Sequence, residues 1–246
     1  MIMKKIFFTI VRIGLVIALI NLLLAVGAPL ARISMDIAPM KAFPVFIQTI
    51  RIGLLLAACG LLFTIISAFM KHSPGVKSAL AMIVLGILPL GSVIATVGPG
   101  RFNSPMIHDI TTDMVNPPEF NKLMELRTPG ENPLEYGGEE TAVQQRTAYP
   151  DIKPIFTSLD HSEALTRAVE VAGTLDWTLI NVDSDNGVIE AYDTTRLFGF
   201  TDDVIIRIQP DGNGSKIDIR SVSRIGLGDI GMNATRIRQF IKTFNN

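Results

Sequence analysis

The chain is poor in the residues that usually organise chemistry. Its 246 residues include one cysteine, one tryptophan, three tyrosines and three histidines. A single cysteine, Cys59, excludes a disulfide framework and a cysteine-based metal site. His72, His108 and His161 lie far apart and show no ligand spacing. There is no phosphate-binding loop or haem motif, and the glycines at 226–231 do not form a dinucleotide fingerprint within a βαβ unit. No cofactor is therefore expected. Acids are missing from a whole region: Asp36 is the only one before residue 100.

That shortage divides the chain. From residue 100 onward there are 14 basic and 22 acidic side chains, a net of −8, whereas residues 1–99 carry eight basic side chains and one acid. An acidic C-terminal part argues against nucleic acid, whose phosphates require a basic surface. The acid-poor part holds three apolar runs near residues 6–26, 52–70 and 78–97. A membrane-crossing helix needs about 20 mostly apolar residues, so each run is read as a span, and the lipid bilayer as the first partner. Arg12 lies near an end of the first run, where its stem can snorkel to the headgroups. The first run is too long for a signal-peptide core, and two more follow it, so cleavage is not expected.

The basic residues of the short loops set the orientation. Lys4 and Lys5 favour the N-terminus inside, although Arg32, Lys41 and Arg51 in the first loop weaken the bias. Three spans then place the acidic part outside, which in a Gram-negative cell is the periplasm, on a multi-pass protein of the inner membrane.

The remaining sequence is read as two pieces. Residues 100–148 are rich in proline and glycine and weakly periodic, as expected of a loop-rich arm with one short helix at 119–126. Residues 149–246 form the soluble domain. Leu165, Val169 and Ala172 repeat on one face of a helix starting at Ser162, which can cap it. Strands follow at 177–182, 188–194, 203–209 and 215–223. Asn186–Gly187 and Gly212–Asn213–Gly214 turn between them. A closing helix at 230–244 carries Ile230, Ile237, Ile241 and Phe244. The order helix, four strands, helix with tight turns predicts a two-layer α+β sandwich: a four-stranded antiparallel sheet with both helices on one face. With Ile206, Ile208, Ile217 and Ile219 toward the helices, alternation sends Asp203, Arg207, Asp218 and Arg220 to the other face, and Glu190 and Tyr192 with them. That face is either solvated with cross-strand ion pairs, or binds a ligand or partner, or is covered by the arm.

The densest polar run is Arg-Ser-x-Ser-Arg-x-Gly-x-x-Asp-x-Gly-x-Asn, from Arg220 to Asn233. Together with LFGFTDDVIIRI at 197–208, IHDITTDMVNPPEF at 107–120 and YPDIKP at 149–154, it resembles the family catalogued as domain of unknown function 1499, over roughly residues 103–244. The resemblance implies an N-terminal membrane anchor or lipoprotein signal and carries no assigned activity.

Candidate binding residues are Arg220, Ser221, Ser223, Arg224, Asp229, Asn233 and Arg236, with Arg207 and Asp203. Glycines before a helix N-terminus can cradle an anion, and nearby arginines suit a phosphate or carboxylate. Against this, Asp229 is itself a plausible cap and would compete with an anion. Asp202 and Asp203, adjacent on a strand, point to opposite faces and make a poor catalytic pair. Ser221 and Ser223 lack a nucleophile-elbow context. The expectation is a non-enzymatic, membrane-anchored domain that binds an envelope protein or an anionic ligand. The alternative is an envelope enzyme acting on a lipid or phosphorylated substrate at the Arg220–Asp229 turn.

Overall fold

The computed structural model describes residues 2–98, 101 and 103–246. The chain divides into a helical unit and a sheet unit.

The helical unit contains α1 (Ile2–Met35), α2 (Pro39–Phe69) and α3 (Ser73–Val97), each long and apolar enough to cross a membrane. They extend beyond the three apolar runs because the flanking polar residues continue the same helices. Their contacts run along stripes of mostly small residues at helical spacing: Val11, Gly14, Ala18, Asn21 and Ala25 on α1, Gly53, Ala57 and Gly60 on α2, Ala79, Met82 and Gly86 on α3. Lipid is as apolar as leucine, so helices in a bilayer gain from close packing rather than from hiding apolar surface. Gly53 and Gly86 show the closeness: a Cβ added to either would overlap the carbonyl oxygen of the other. Asn21 Nδ2 donates to the Thr49 carbonyl at 2.9 Å, joining α1 to α2.

The sheet unit begins with β1 (Asp109–Thr111), a 3₁₀ turn (Lys122–Leu126), α4 (Gly138–Ala148) and β2 (Ile155–Thr157). Then come α5 (His161–Thr174), β3 (Thr178–Asp183), β4 (Val188–Thr194), β5 (Thr201–Asp211), β6 (Gly214–Ser223) and α6 (Met232–Phe244). The sheet has six antiparallel strands rather than four. The hairpins run β3-β4-β5-β6, and both β1 and β2 pair with the far edge of β6. The two extra strands have three residues each, too short to leave an alternating pattern. The arm is thus part of the fold: it supplies a strand, a 3₁₀ turn in place of the expected α-helix, and α4. The N-cap of α5 is Asp160 rather than Ser162, in a reciprocal capping box with Glu163. Ile230 precedes α6 and is exposed, so it does not belong to that helix's apolar stripe.

One face of the sheet carries the main core. Val204, Ile206, Ile208, Ile217 and Ile219 pack under α5 and α6, and Trp177 stacks on Phe240 at 5.6 Å. The two expected helices do lie on one face. The opposite face holds a smaller cluster, Phe120, Leu123, Ile205 and Val222, beneath residues of the 109–136 segment.

Candidate functional site

Consecutive residues on β6 point to opposite faces of the sheet. The nine candidate side chains therefore fall into two separate networks.

On the helix-covered face lie Ser221, Ser223, Asp229, Asn233 and Arg236. Asn233 uses its whole hydrogen-bonding capacity. Its Oδ1 accepts from Ser221 Oγ at 2.7 Å and Arg236 Nη1 at 2.6 Å, and its Nδ2 donates to Ser223 Oγ at 3.0 Å and the His108 carbonyl at 2.9 Å. Arg236, 3% exposed, bridges Asp202 at 2.7 Å and Asp193 at 2.8 Å. Both carboxylates hold its pKa up against the opposing effect of burial. Asp229 Oδ1 accepts from the Gly231 N–H at 2.8 Å, and Oδ2 from the Asn233 N–H at 2.5 Å. Burial pushes its carboxyl up, opposed by these two N–H groups.

This geometry bears on the anion-cradle reading. Gly226-Leu-Gly228-Asp-Ile-Gly231 does have the literal G-x-G-x-x-G spacing between β6 and α6. The sheet is antiparallel, however, and α6 leads to no parallel strand. Two N–H groups at the start of α6, those of Gly231 and Asn233, already donate to the Asp229 carboxylate, which also repels an anion there.

On the other face, Arg220 is the largest fully buried side chain, 1% exposed. It grips Asp109 and donates to the carbonyls of Pro118 at 2.9 Å and Leu134 at 2.6 Å. Its guanidinium lies 5.3 Å from the ring of Phe120 and 5.6 Å from that of Tyr136. Burial and the Asp109 charge push the Tyr136 hydroxyl up to about 12. Arg224 pairs with Asp203 at 2.8 Å, and Arg127 pairs with the other oxygen of Asp203 at 2.7 Å. Arg207 and Lys216 converge on Asp218 at 2.8 and 3.1 Å, and on Asp113 at 3.3 and 3.0 Å.

Glu190 lies fully buried beneath the 3₁₀ turn. It accepts the N–H groups of Asn121, Lys122 and Leu123 at 2.8, 2.9 and 3.2 Å. It is a helix cap supplied from across the sheet. The other four acids of this face, Asp109, Asp113, Asp203 and Asp218, pair with its five bases. Of the three readings open in the sequence, coverage by the arm is the one observed, and the ion pairs fasten it.

At the free side of β1, Gln145 of α4 replaces a missing strand. Its amide donates to the Thr111 carbonyl at 2.6 Å and accepts the Thr111 N–H at 3.0 Å. A buried polar edge is thereby paired rather than left open.

Both networks end at one loop, Ile225–Gly231. Asn132 Nδ2 donates to the carbonyls of Ser223 at 3.0 Å and Gly226 at 2.8 Å, and its N–H donates to the Arg224 carbonyl at 2.7 Å. Asp229 fixes the far end. The loop presents two exposed apolar side chains, Leu227 (76%) and Ile230 (41%). Ile230 has φ +52°, a left-handed conformation that costs a β-branched residue on the order of 1–2 kcal/mol. Helical spacing from 230 to 244 predicts Ile230 in the core, whereas it lies exposed on the same loop as Leu227. The available signal was an apolar residue inside a glycine-rich turn, where core packing does not require one. Among the described residues, no group of three or more His, Cys, Asp and Glu could hold a metal ion.

The family model described as a protein of unknown function (DUF1499) matches residues 109–244. No curated protein matches the chain. The match starts at β1, so the residues read as an arm lie mostly inside it.

Proposed function

The chain belongs to the DUF1499 family, and from that premise we propose that it is a multi-pass protein of the bacterial inner membrane whose periplasmic domain binds an envelope partner without catalysing a reaction. The recognition element is the loop Ile225–Gly231.

The rigid construction of this loop carries the reading. Asn132 and the candidate residue Asp229 hold its backbone, Arg224 and Asn233 stand beside its two ends, and its exposed tips are apolar. The same polar groups are consumed by internal pairing, which favours binding over the alternative of a phosphoryl- or lipid-processing enzyme at the Arg220–Asp229 turn. The periplasmic orientation follows from Lys4 and Lys5 at the start of α1 and from three crossings.

A photo-crosslinking residue at position 227 of the full chain tests the reading in living cells. The expected result is an adduct, to lipid or protein, that is absent when the same residue replaces Gln239 on α6. Equal adducts at both positions, or none at either, would sink it.

A further inference from the structure

We propose that Leu227, Ile230 and Met106 form an apolar wedge that inserts into the interfacial region of the bilayer carrying the protein. This rests on the binding reading above and names the envelope partner as lipid.

The three side chains come from two segments meeting at one point. A Cβ added to Gly228 would lie 3.2 Å from Met106 Cα, so the backbone at 226–231 and at 106 is in close apposition. Met106 is 70% exposed, similar to Leu227. Leu227 and Ile230 thus stand exposed on a loop whose backbone is held by Asn132 and Asp229, with Met106 against it at Gly228. Ile230 keeps its side chain outward in a backbone conformation that glycine or asparagine would adopt with less strain. Folding alone gives no reason for a β-branched apolar residue there, whereas a lipid contact does.

Covalent reach brings lipid close. α3 has 25 residues, about 37 Å of helix, enough to carry Gly98 to the headgroup level. Met106 is only eight Cα steps beyond Gly98, so it lies within about 28 Å of that point at full extension. The size of the patch also discriminates between partners. A stable protein interface takes roughly 800 Å² from each side, and three side chains supply a fraction of it. Shallow insertion at the acyl boundary needs no more than such a cluster. Charge does not supply the attraction. The part of the chain from residue 100 carries a net of −8 and is repelled by anionic headgroups. The contact is apolar, so salt does not weaken it and, by screening the repulsion, favours it.

The test uses the full-length chain in a Cys59→Ala background, reconstituted into phosphatidylcholine–phosphatidylglycerol vesicles. Nitroxides are placed at Leu227→Cys, Ile230→Cys and, as a solvent-exposed reference on β3, Val182→Cys. Trp177 fluorescence confirms that each variant is folded. Oxygen, which concentrates in lipid, should relax the labels at 227 and 230 several-fold more effectively than a water-soluble nickel chelate, with no loss of that preference in high salt. Position 182 should show the reverse. Nickel accessibility at 227 and 230 equal to that at 182 overturns the wedge. Shielding of 227 from both reagents also overturns it, because protein then covers the site. In either case the photo-crosslink at 227 decides the broader reading separately: a protein adduct keeps a binding loop without lipid, and no adduct removes both.

Discussion

Arg220 holds Asp109 through two parallel hydrogen bonds, Nε to Oδ1 at 3.0 Å and Nη2 to Oδ2 at 2.7 Å, across 111 residues of sequence. This bidentate pair ties the segment that leaves the membrane to a strand near the end of the chain. Removing one member strands a buried charge, whose uncompensated burial typically costs about 3–5 kcal/mol. Arg220→Met should therefore lower the unfolding midpoint of the sheet unit steeply. Arg220→Met with Asp109→Leu should recover much of the loss. Trp177, the one tryptophan, stacks on Phe240 in the core and reports this transition by fluorescence. A double variant as unstable as the single would show that the pair is not an isolated unit.

Glu190→Ala deprives three backbone N–H groups of their acceptor. Each buried unpaired donor costs about 1–3 kcal/mol, and partial access of water lowers the sum. The damage should be local. Proteolysis between residues 119 and 136 should accelerate well before Trp177 fluorescence changes. Glu190→Gln keeps one acceptor oxygen and should fall between the two.

Asp113 and Asp229 make the stability depend on pH with opposite signs. Burial pushes Asp113 up, but the N–H of Asn116 and the Lys216 ammonium outweigh it, and the net pKa lies below 3.8. Its contribution is present above 3.8 and is lost as pH falls through the lowered folded value. Asp229 is raised by burial, so its contribution is complete below 3.8 and is lost as pH rises through the raised folded value. In thermal melts followed by Trp177, the deficit of Asp113→Asn should be largest near neutrality and should fade on acidification. The deficit of Asp229→Asn should grow on acidification. A pH-independent deficit in both would refute the assignment.

Gly53→Val places a branched side chain against the Gly86 carbonyl. Overpacking of this kind typically costs about 1–3 kcal/mol. The helical transition in detergent, followed by far-ultraviolet circular dichroism, should move down while the Trp177 transition stays in place. Movement of both would mean that the two units unfold as one.

The legible parts of the fold are those with a period. β5 and β6 alternate over ten or so residues, and Asn186–Gly187 marks a hairpin, so the sheet core and the sidedness of Asp203, Arg207, Asp218 and Arg220 could be read directly. The 100–148 segment could not. β1 and β2 are three residues long, and the turn at 122–126 is capped by Glu190, 64 or more residues away in sequence. Its structure is imposed by tertiary pairing rather than by local propensity. The candidate residues stand out in the sequence because their polar groups cluster. Their separation into two networks follows from the alternation of Arg220 and Ser221, but their partners, Asp109, Arg127 and Asp193, lie in other elements and leave no mark beside them. Leu227 carries no periodic or charge signal, since it stands alone between two glycines.

The pairing of β1 with β6 also orders events in time. The first strand made after the membrane helices must wait for residues 220–222, more than a hundred residues later in synthesis. Until then Asp109 has no guanidinium, Ile110 no core and Thr111 only half of its neighbours. The newly made domain is therefore held open until β6 emerges, and its sheet closes late rather than strand by strand.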